Sequence, residues 1–204
     1  MKKLLSVLAI LAITTPIFSQ EGNYDLTVNS WPTNLAEFDV FRTENSSNPQ
    51  GAVVSLIAAL DIFVKNEEDG RKALVLILDS GSLSQDTSGK GYKGFNVSRS
   101  TMDLVKRQLS QNPALPGSYL PGSSTQNGYT PSPPPYTFNL TANRYSGEVS
   151  KGAIKLFVPC SGASSARPVS TKVNSKGAWK ITEFSSLLVG VAKPANQPNP
   201  ADDL

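Results

Sequence analysis

GAVVSLIAALDIFVKN, residues 51–66, is the stretch that decides how this chain folds. Its apolar residues recur at three- and four-residue intervals, which places them on one broad face of a helix: Val53, Leu56, Ile57, Leu60, Phe63 and Val64. Ser55 and Asp61 lie off that face. A membrane-spanning helix needs about 20 apolar residues, and this segment is shorter. The pattern therefore predicts a helix in the core of a domain.

The segment that follows is apolar but ambiguous. Residues 67–70, Glu-Glu-Asp-Gly, mark a turn or the start of a new helix, with acids where the helix dipole favours them. Residues 73–78, ALVLIL, form an unbroken apolar run whose periodicity fits either a helix or a buried strand. We favour a second helix packed against the first, because residues 70–72 leave little room for a strand to reverse direction. A buried strand is the alternative.

Residues 80–95 are rich in serine and glycine and predict an exposed loop. A short helix is predicted over residues 101–111, opened by a variant capping box that runs from Ser100 to Asp103. Residues 112–135 then contain seven prolines, which exclude a helix or a central strand. We interpret this segment as a long loop laid over the core, and an exposed recognition surface is the alternative.

The C-terminal part predicts strands. Four short segments are rich in β-branched and aromatic residues and partly alternate between apolar and polar: residues 136–141, 153–159, 167–173 and 178–184. Residues 174–177, Asn-Ser-Lys-Gly, predict a hairpin between the last two. Val169, Thr171 and Val173 can pair across it with Trp179, Ile181 and Glu183, or with the alternate residues in another register.

Helices followed by antiparallel strands predict an α+β fold, with the N-terminal helices packed on one face of the sheet. This order is compatible with a nuclear-transport-factor-like or a cystatin-like arrangement, as an analogy of element order alone. We expect one domain over residues 21–192 and a disordered tail over residues 193–204, which carry almost no apolar side chains.

The N-terminus predicts a signal peptide over residues 1–20. Lys2 and Lys3 precede an apolar run from Leu4 to Ile13, and Ser19 offers a small residue for cleavage after Ser19 or Gln20. Both lysines count among the 19 basic residues, whereas all 16 acids follow the leader, so the mature chain carries a net charge of +1. That charge gives no reason to expect nucleic acid as a partner. We expect an exported protein, periplasmic or extracellular, with no transmembrane segment after cleavage.

The residue types present exclude much common catalytic chemistry. The chain has no histidine and a single cysteine, Cys160, which rules out His-dependent triads, HExxH zinc sites and CxxC chemistry. Cys160 is interpreted as a small core residue. Residues 89–94 match G-x-G-x-x-G by letter, but neither a strand directly before them nor a helix after them is indicated, so we discard a dinucleotide site. No cofactor and no metal are expected.

Carboxylate chemistry remains open, because a glycosidase needs only two well-placed acids. The candidates for such a pair are Glu37, Asp39, Asp61, Asp79, Glu148 and Glu183. Nothing in the sequence brings two of them together, and most acids in proteins are solvated. Asp61, inside an apolar helix, is the best single candidate for an unusual pKa.

The C-terminal sequence resembles a family of uncharacterised exported bacterial proteins. The residues that carry the resemblance are C-S-G-A at 160–163, R-P-V at 167–169, G-A-W-K at 177–180 and E-F-S-S-L-L-V-G-V at 183–191. N-G-Y-T-P-S-P-P at 127–134 is similar as well. The resemblance implies a bacterial origin and a shared fold, and it implies no chemistry.

Within those segments the polar and aromatic candidates for a binding patch are Arg167, Trp179, Lys180, Glu183 and Tyr129, with Ser185 and Ser186 beside them. Arginine supplies a planar donor fork and tryptophan a stacking face. The structural alternative is a hairpin held by cross-strand contacts. The sequence thus predicts a non-enzymatic, envelope-associated protein that binds a protein, peptide or small ligand. A carboxylate-based glycan hydrolase and a structural envelope component are the alternatives.

Overall fold

The structure is a computed structural model of the chain, and it describes residues 22–195. The predicted signal peptide and most of the predicted C-terminal tail lie outside the described residues.

The described chain contains helices followed by strands, with a few exceptions to that order. The helices are α1 (Leu35–Glu44), α2 (Pro49–Lys65), α3 (Glu67–Ile77), α4 (Arg99–Gln111) and the single turn α5 (Ser185–Leu188). The strands are β1 (Gly22–Val28), β2 (Leu83–Gln85), β3 (Phe95–Val97), β4 (Tyr136–Ala142), β5 (Gly147–Glu148), β6 (Ala153–Val158), β7 (Arg167–Val173) and β8 (Trp179–Glu183).

The α+β prediction is confirmed, and the N-terminal helices do pack on an antiparallel sheet. Its strand order is β1-β4-β6-β7-β8, with the short β5 paired to β6. Helix α2 packs against β1, β6, β7 and β8, so it covers most of the width of the sheet. In β4, Phe138 and Leu140 are buried whereas Thr137 and Asn139 are exposed, so the opposite face of the sheet is in contact with solvent.

The predicted helix at residues 51–66 is α2. Asn48 caps it by accepting a hydrogen bond from the backbone N–H of Gly51 at 2.7 Å, and Pro49 occupies a position where no N–H is needed. The helix is buried almost all round rather than on one face. Ser55, which the pattern places off the apolar face, is fully buried, because α1 and α3 pack beside α2.

The ambiguous run at residues 73–78 is helical, as favoured, up to Ile77. Leu78 leaves the helix in an extended conformation and forms a parallel bridge with Ile181 of β8. Gly70 permits α3 to cross α2 closely, since a Cβ at that position would lie 2.2 Å from the Cα of Phe63. A side chain of any size at position 70 would separate the two helices.

Two local predictions are wrong. Helix α4 begins at Arg99 with Ser98 as its N-cap, so Ser100 lies inside the helix and the predicted capping box does not form. Residues 80–95 are only in part a loop, because β2 and β3 pair there as a small antiparallel hairpin. Asp86 supports its tip by accepting hydrogen bonds from Ser88, Gly91 and Asn96. Residues 22–50, for which no element was predicted, contain β1 and α1.

The predicted C-terminal hairpin is confirmed. Val173 pairs with Trp179 and Thr171 with Ile181, and a bulge after Ser170 places that residue opposite Glu183. The bulge is the register detail that the sequence left open.

The proline-rich segment, residues 112–135, covers the core, which agrees with the favoured interpretation. Leu115, Tyr119, Leu120 and Tyr129 are all buried in it. The first residues of the predicted tail pack beside this segment: Pro194 is buried, and the backbone N–H of Ala195 donates to the carbonyl of Thr125 at 2.9 Å.

Candidate functional site

Three adjoining depressions lie along the helical side of the molecule, and we call them together the helical groove. The first, about 640 Å³, lies between α3 and the β2–β3 hairpin. The second, about 700 Å³, lies between the C-terminal end of α2 and α4, and it shares Glu67 with the first. The third, about 340 Å³, lies between α2 and the proline-rich segment, and it shares Val64 and Pro113 with the second. The shared residues place the three depressions next to one another.

The middle of the groove is apolar at its base. Phe63 and Leu109 are almost fully buried and lie at the bottom of the second depression, with the partly exposed Val64 and the exposed Pro113 beside them. Val64 belongs to the apolar face that the sequence predicts for α2.

Charged side chains line the groove, and each of its four carboxylates forms an ion pair with a lysine or arginine side chain. Lys65 lies 2.8 Å from Asp61, and Lys72 lies 2.6 Å from Glu68. The ammonium group of Lys106 lies 2.6 Å from the carboxylate of Glu67, and this ion pair connects α4 to α3. The carboxylate of Asp103 lies 3.7 Å from the guanidinium group of Arg99. The hydrogen bond from Lys72 is the main cause that lowers the pKa of Glu68, and the same bond raises the pKa of Lys72.

Two cations of the groove make no ion pair within residues 22–195. Lys90, at the tip of the β2–β3 hairpin, lines the first depression. Arg107, on α4, lines the second. Each carboxylate of the groove is paired with a cation, whereas Lys90 and Arg107 have no acidic partner within residues 22–195. The groove therefore presents a surplus of positive charge to a ligand.

The third depression has an aromatic wall. Trp31 packs edge-on against Phe41 and Tyr136 and stacks on Phe138 at 5.9 Å between ring centroids. Its indole N–H donates to Asp61 at 2.8 Å. Burial is the main cause that raises the pKa of Tyr136, and the negative charge of Asp61 adds to it. Asp61 is thus fixed between an indole and Lys65.

The predicted binding residues make structural contacts. Trp179 is buried, and the ammonium group of Lys180 donates to the carbonyl of Leu76, where burial lowers the pKa of Lys180. Glu183 accepts hydrogen bonds from the backbone and hydroxyl of Ser185 at the start of α5.

The other two predicted binding residues hold the C-terminal segment in place. Arg167 donates to the carbonyl of Gly190, and the hydroxyl of the buried Tyr129 donates to the carbonyl of Ala192 at 2.7 Å. Of the five predicted residues, Tyr129 alone lines the helical groove, in its third depression.

Of the six candidate carboxylates, Asp61 alone lines the groove. Glu37 accepts from Thr33 beside α1, which lowers its pKa, and Asp79 accepts from the N–H of Gly81. Asp39 pairs with Arg42, Glu148 pairs with Lys151, and Glu183 has the role described above. The structure does not bring these six together in one site. Cys160 is half-buried against the core, and its thiol lies 3.4 Å from the hydroxyl of Ser118.

The groove residues that the sequence did not single out are Glu67, Lys90, Lys106 and Arg107. Glu67 was recognised only as part of a helix start. The polar face of α4 gives a signal for surface exposure of Lys106 and Arg107, but nothing in the sequence indicates which helix end they face.

Within residues 22–195 no group of three or more cysteine, aspartate or glutamate side chains could hold a metal ion. Across the same residues, no helix combines the length and the hydropathy that crossing a membrane requires.

In a comparison with protein families, the model of a domain of unknown function matches residues 30–195. The match includes all five helices, the proline-rich segment and the C-terminal strands. Of the strands in the main sheet, β1 alone lies outside it. The chain belongs to this family, DUF6935. Neither a curated protein nor a solved structure matches the chain.

Proposed function

We propose that this protein is an exported, non-enzymatic binding protein of the bacterial envelope, and that its ligand lies in the helical groove. The observation that supports this most is the adjacency of the three depressions, which together offer a site with an apolar base and charged rims. Such a combination is typical of binding sites, where apolar area supplies affinity and a few polar groups fix orientation. A structural envelope component, the third possibility, would need no groove.

The carboxylates of the groove favour binding over glycan hydrolysis. A glycosidase needs one acid that is protonated and one that is free to act as a base or nucleophile, facing each other across the substrate. In the helical groove Asp61, Glu67, Glu68 and Asp103 are each paired with a cation. For Glu68 the hydrogen bond from Lys72 lowers the pKa, which opposes the role of a general acid.

Export is supported by the predicted leader. The expected mature N-terminus is Gln20 or Glu21. N-terminal sequencing of the protein from envelope and culture fractions tests this directly, and recovery of the Met1-bearing chain from cytosol alone would contradict it.

The binding site is tested by filling the groove from its exposed rim. Ser110 lines the second depression and is exposed, so Ser110→Trp adds bulk to the groove without entering the core. Ser175, in the exposed β7–β8 turn, gives the matched control Ser175→Trp. We expect a pull-down from envelope fractions to recover a partner with the wild-type mature chain and with the control, and to lose it with Ser110→Trp.

Two results would overturn the proposal. One is a partner recovered equally with all three proteins, which would place the binding site elsewhere. The other is the release of reducing ends from envelope glycans by the wild-type chain but not by Asp61→Asn, which would establish the hydrolase.

A further inference from the structure

We propose that the groove takes an extended segment of a partner protein in which acidic side chains are interspersed with apolar ones; this inference rests on the proposed function. The groove consists of three adjacent depressions, is apolar at its base and is positively charged in surplus, and each of these three properties restricts the ligand.

The unpaired cations of the groove favour an acidic ligand. The groove carboxylates are already held by lysine or arginine side chains, whereas Lys90 and Arg107 have no acidic partner within residues 22–195. Arg107 can meet a carboxylate with two parallel hydrogen bonds, and such charge-assisted pairs are the strong ones. Lys90 offers a second positive point at the opposite part of the groove. Both fit acidic side chains that are spaced along one chain.

The apolar base of the groove favours a ligand with aliphatic side chains. Phe63, Leu109 and Val64 form the bottom of the second depression, and Val75 with Met102 extends apolar surface into the first. Aliphatic side chains of a peptide would fill these hollows and displace water from apolar surface. An acidic polysaccharide would supply the carboxylates but no aliphatic groups, so the apolar base would remain hydrated.

The third argument is shape. A small ligand would occupy one depression, whereas the shared residues Glu67, Val64 and Pro113 place all three side by side. An extended peptide of about ten residues covers about 33 Å, which suits a site built from successive hollows. Helices bound in grooves instead present one continuous apolar stripe, and the charged rim of the first depression does not match such a stripe.

The test uses phage-displayed random peptides of about ten residues, selected in parallel on the wild-type mature chain and on Arg107→Gln. We expect the wild-type selection to enrich peptides that contain both acidic and large apolar residues, and Arg107→Gln to lose this enrichment. Arg144, exposed on the turn after β4 and without an ion pair within the described chain, provides the matched control Arg144→Gln.

The selected peptides are then synthesised with a fluorescent label, and their binding is measured by anisotropy. We expect Arg107→Gln to weaken binding about two- to fivefold, since Arg107 is exposed and an exposed ion pair contributes up to about 1 kcal/mol. Val64→Thr, which keeps the side-chain shape but makes the base polar, should weaken binding as well. Arg144→Gln should bind as the wild type does.

The outcomes separate this inference from the proposed function. If acidic apolar peptides are not enriched, or if polygalacturonate displaces them as well as the unlabelled peptide does, the peptide proposal is wrong. If in that case Ser110→Trp still abolishes capture of the envelope partner, the groove remains the binding site and only the ligand class changes. If Ser110→Trp has no effect on that capture, the proposed function fails too.

Discussion

The close crossing of α2 and α3 makes a test of the fold possible at a single residue, Gly70. Alanine at an exposed helical position stabilises a helix by about 1 kcal/mol relative to glycine. At position 70 we expect the opposite sign, because the new Cβ would lie 2.2 Å from the Cα and 2.6 Å from the backbone nitrogen of Phe63. Backbone atoms cannot rotate away, so the helices must move apart.

The size of the effect follows from that movement. Ordinary contact with a Cβ begins at 3.4 Å, so α3 must shift by about 1.2 Å, and a gap of that order forfeits a quarter to a half of each contact across the interface. The side chains affected include the fully buried Leu74 and Ala73. Overpacking of a core costs about 1–3 kcal/mol, and we expect Gly70→Ala to fall at or above the upper end of this range after the propensity gain is subtracted.

Urea denaturation of the mature chain, followed by circular dichroism, measures the difference in the free energy of unfolding. Ser100→Ala is the control, because Ser100 is an exposed residue inside α4 and its substitution reports helix propensity alone. A Gly70→Ala variant as stable as the wild type, or more stable, would show that the crossing of α2 and α3 is looser than the structure has it. The first depression of the groove, which α3 lines, would then be in doubt as well.

Three further predictions concern local contacts. Asn48→Ala removes the cap of α2 and should lower the free energy of unfolding by about 1 kcal/mol in the same urea assay; no change would mean that Gly51 finds another acceptor. Hydrogen bonds from residues of the β2–β3 hairpin lower the pKa of Asp86 to about 2, below the 3.8 of the unfolded chain. The ionised Asp86 therefore stabilises the hairpin above pH 4, and this stabilisation is lost as the pH falls from 4 to 2. Amide chemical shifts of the hairpin should follow that titration in the wild type and not in Asp86→Asn, and identical titrations would contradict the assignment. Tyr129→Phe removes the hydrogen bond to Ala192, and limited proteolysis should cut the C-terminal segment faster at a cost of about 1 kcal/mol; unchanged cleavage would show that this bond does not hold the segment.

The sequence predicted helix α2 but not helix α1. The apolar period of residues 51–66 identified α2 correctly, because packing on a sheet demands apolar residues at that spacing whatever lies on the other sides. It did not reveal that Ser55 is buried, since burial of the remaining sides depends on α1 and α3. Helix α1 itself was missed, because its buried residues are Phe38 and Phe41, too few for a clear periodic signal.

The candidate binding residues show the opposite limitation. Trp179 and Lys180 were chosen for their chemistry, but the structure uses them for packing and for a hydrogen bond to a helix carbonyl. The groove residues Lys90 and Arg107 have ordinary sequence surroundings and gain significance only from the hollows beside them. Residue type therefore indicated what chemistry is available, but it did not indicate where a ligand can reach it.

The sequence alone determined the class of the fold, the central helix, the C-terminal hairpin and the exclusion of histidine-dependent chemistry. These properties follow from composition and from periodicities that each segment carries by itself. The tertiary structure alone decided the groove, because Glu67 and Lys106 are far apart in the chain and meet only when α3 and α4 pack side by side. Contacts between distant segments are set by the packing of whole helix faces, and no local pattern in a single sequence records which faces meet.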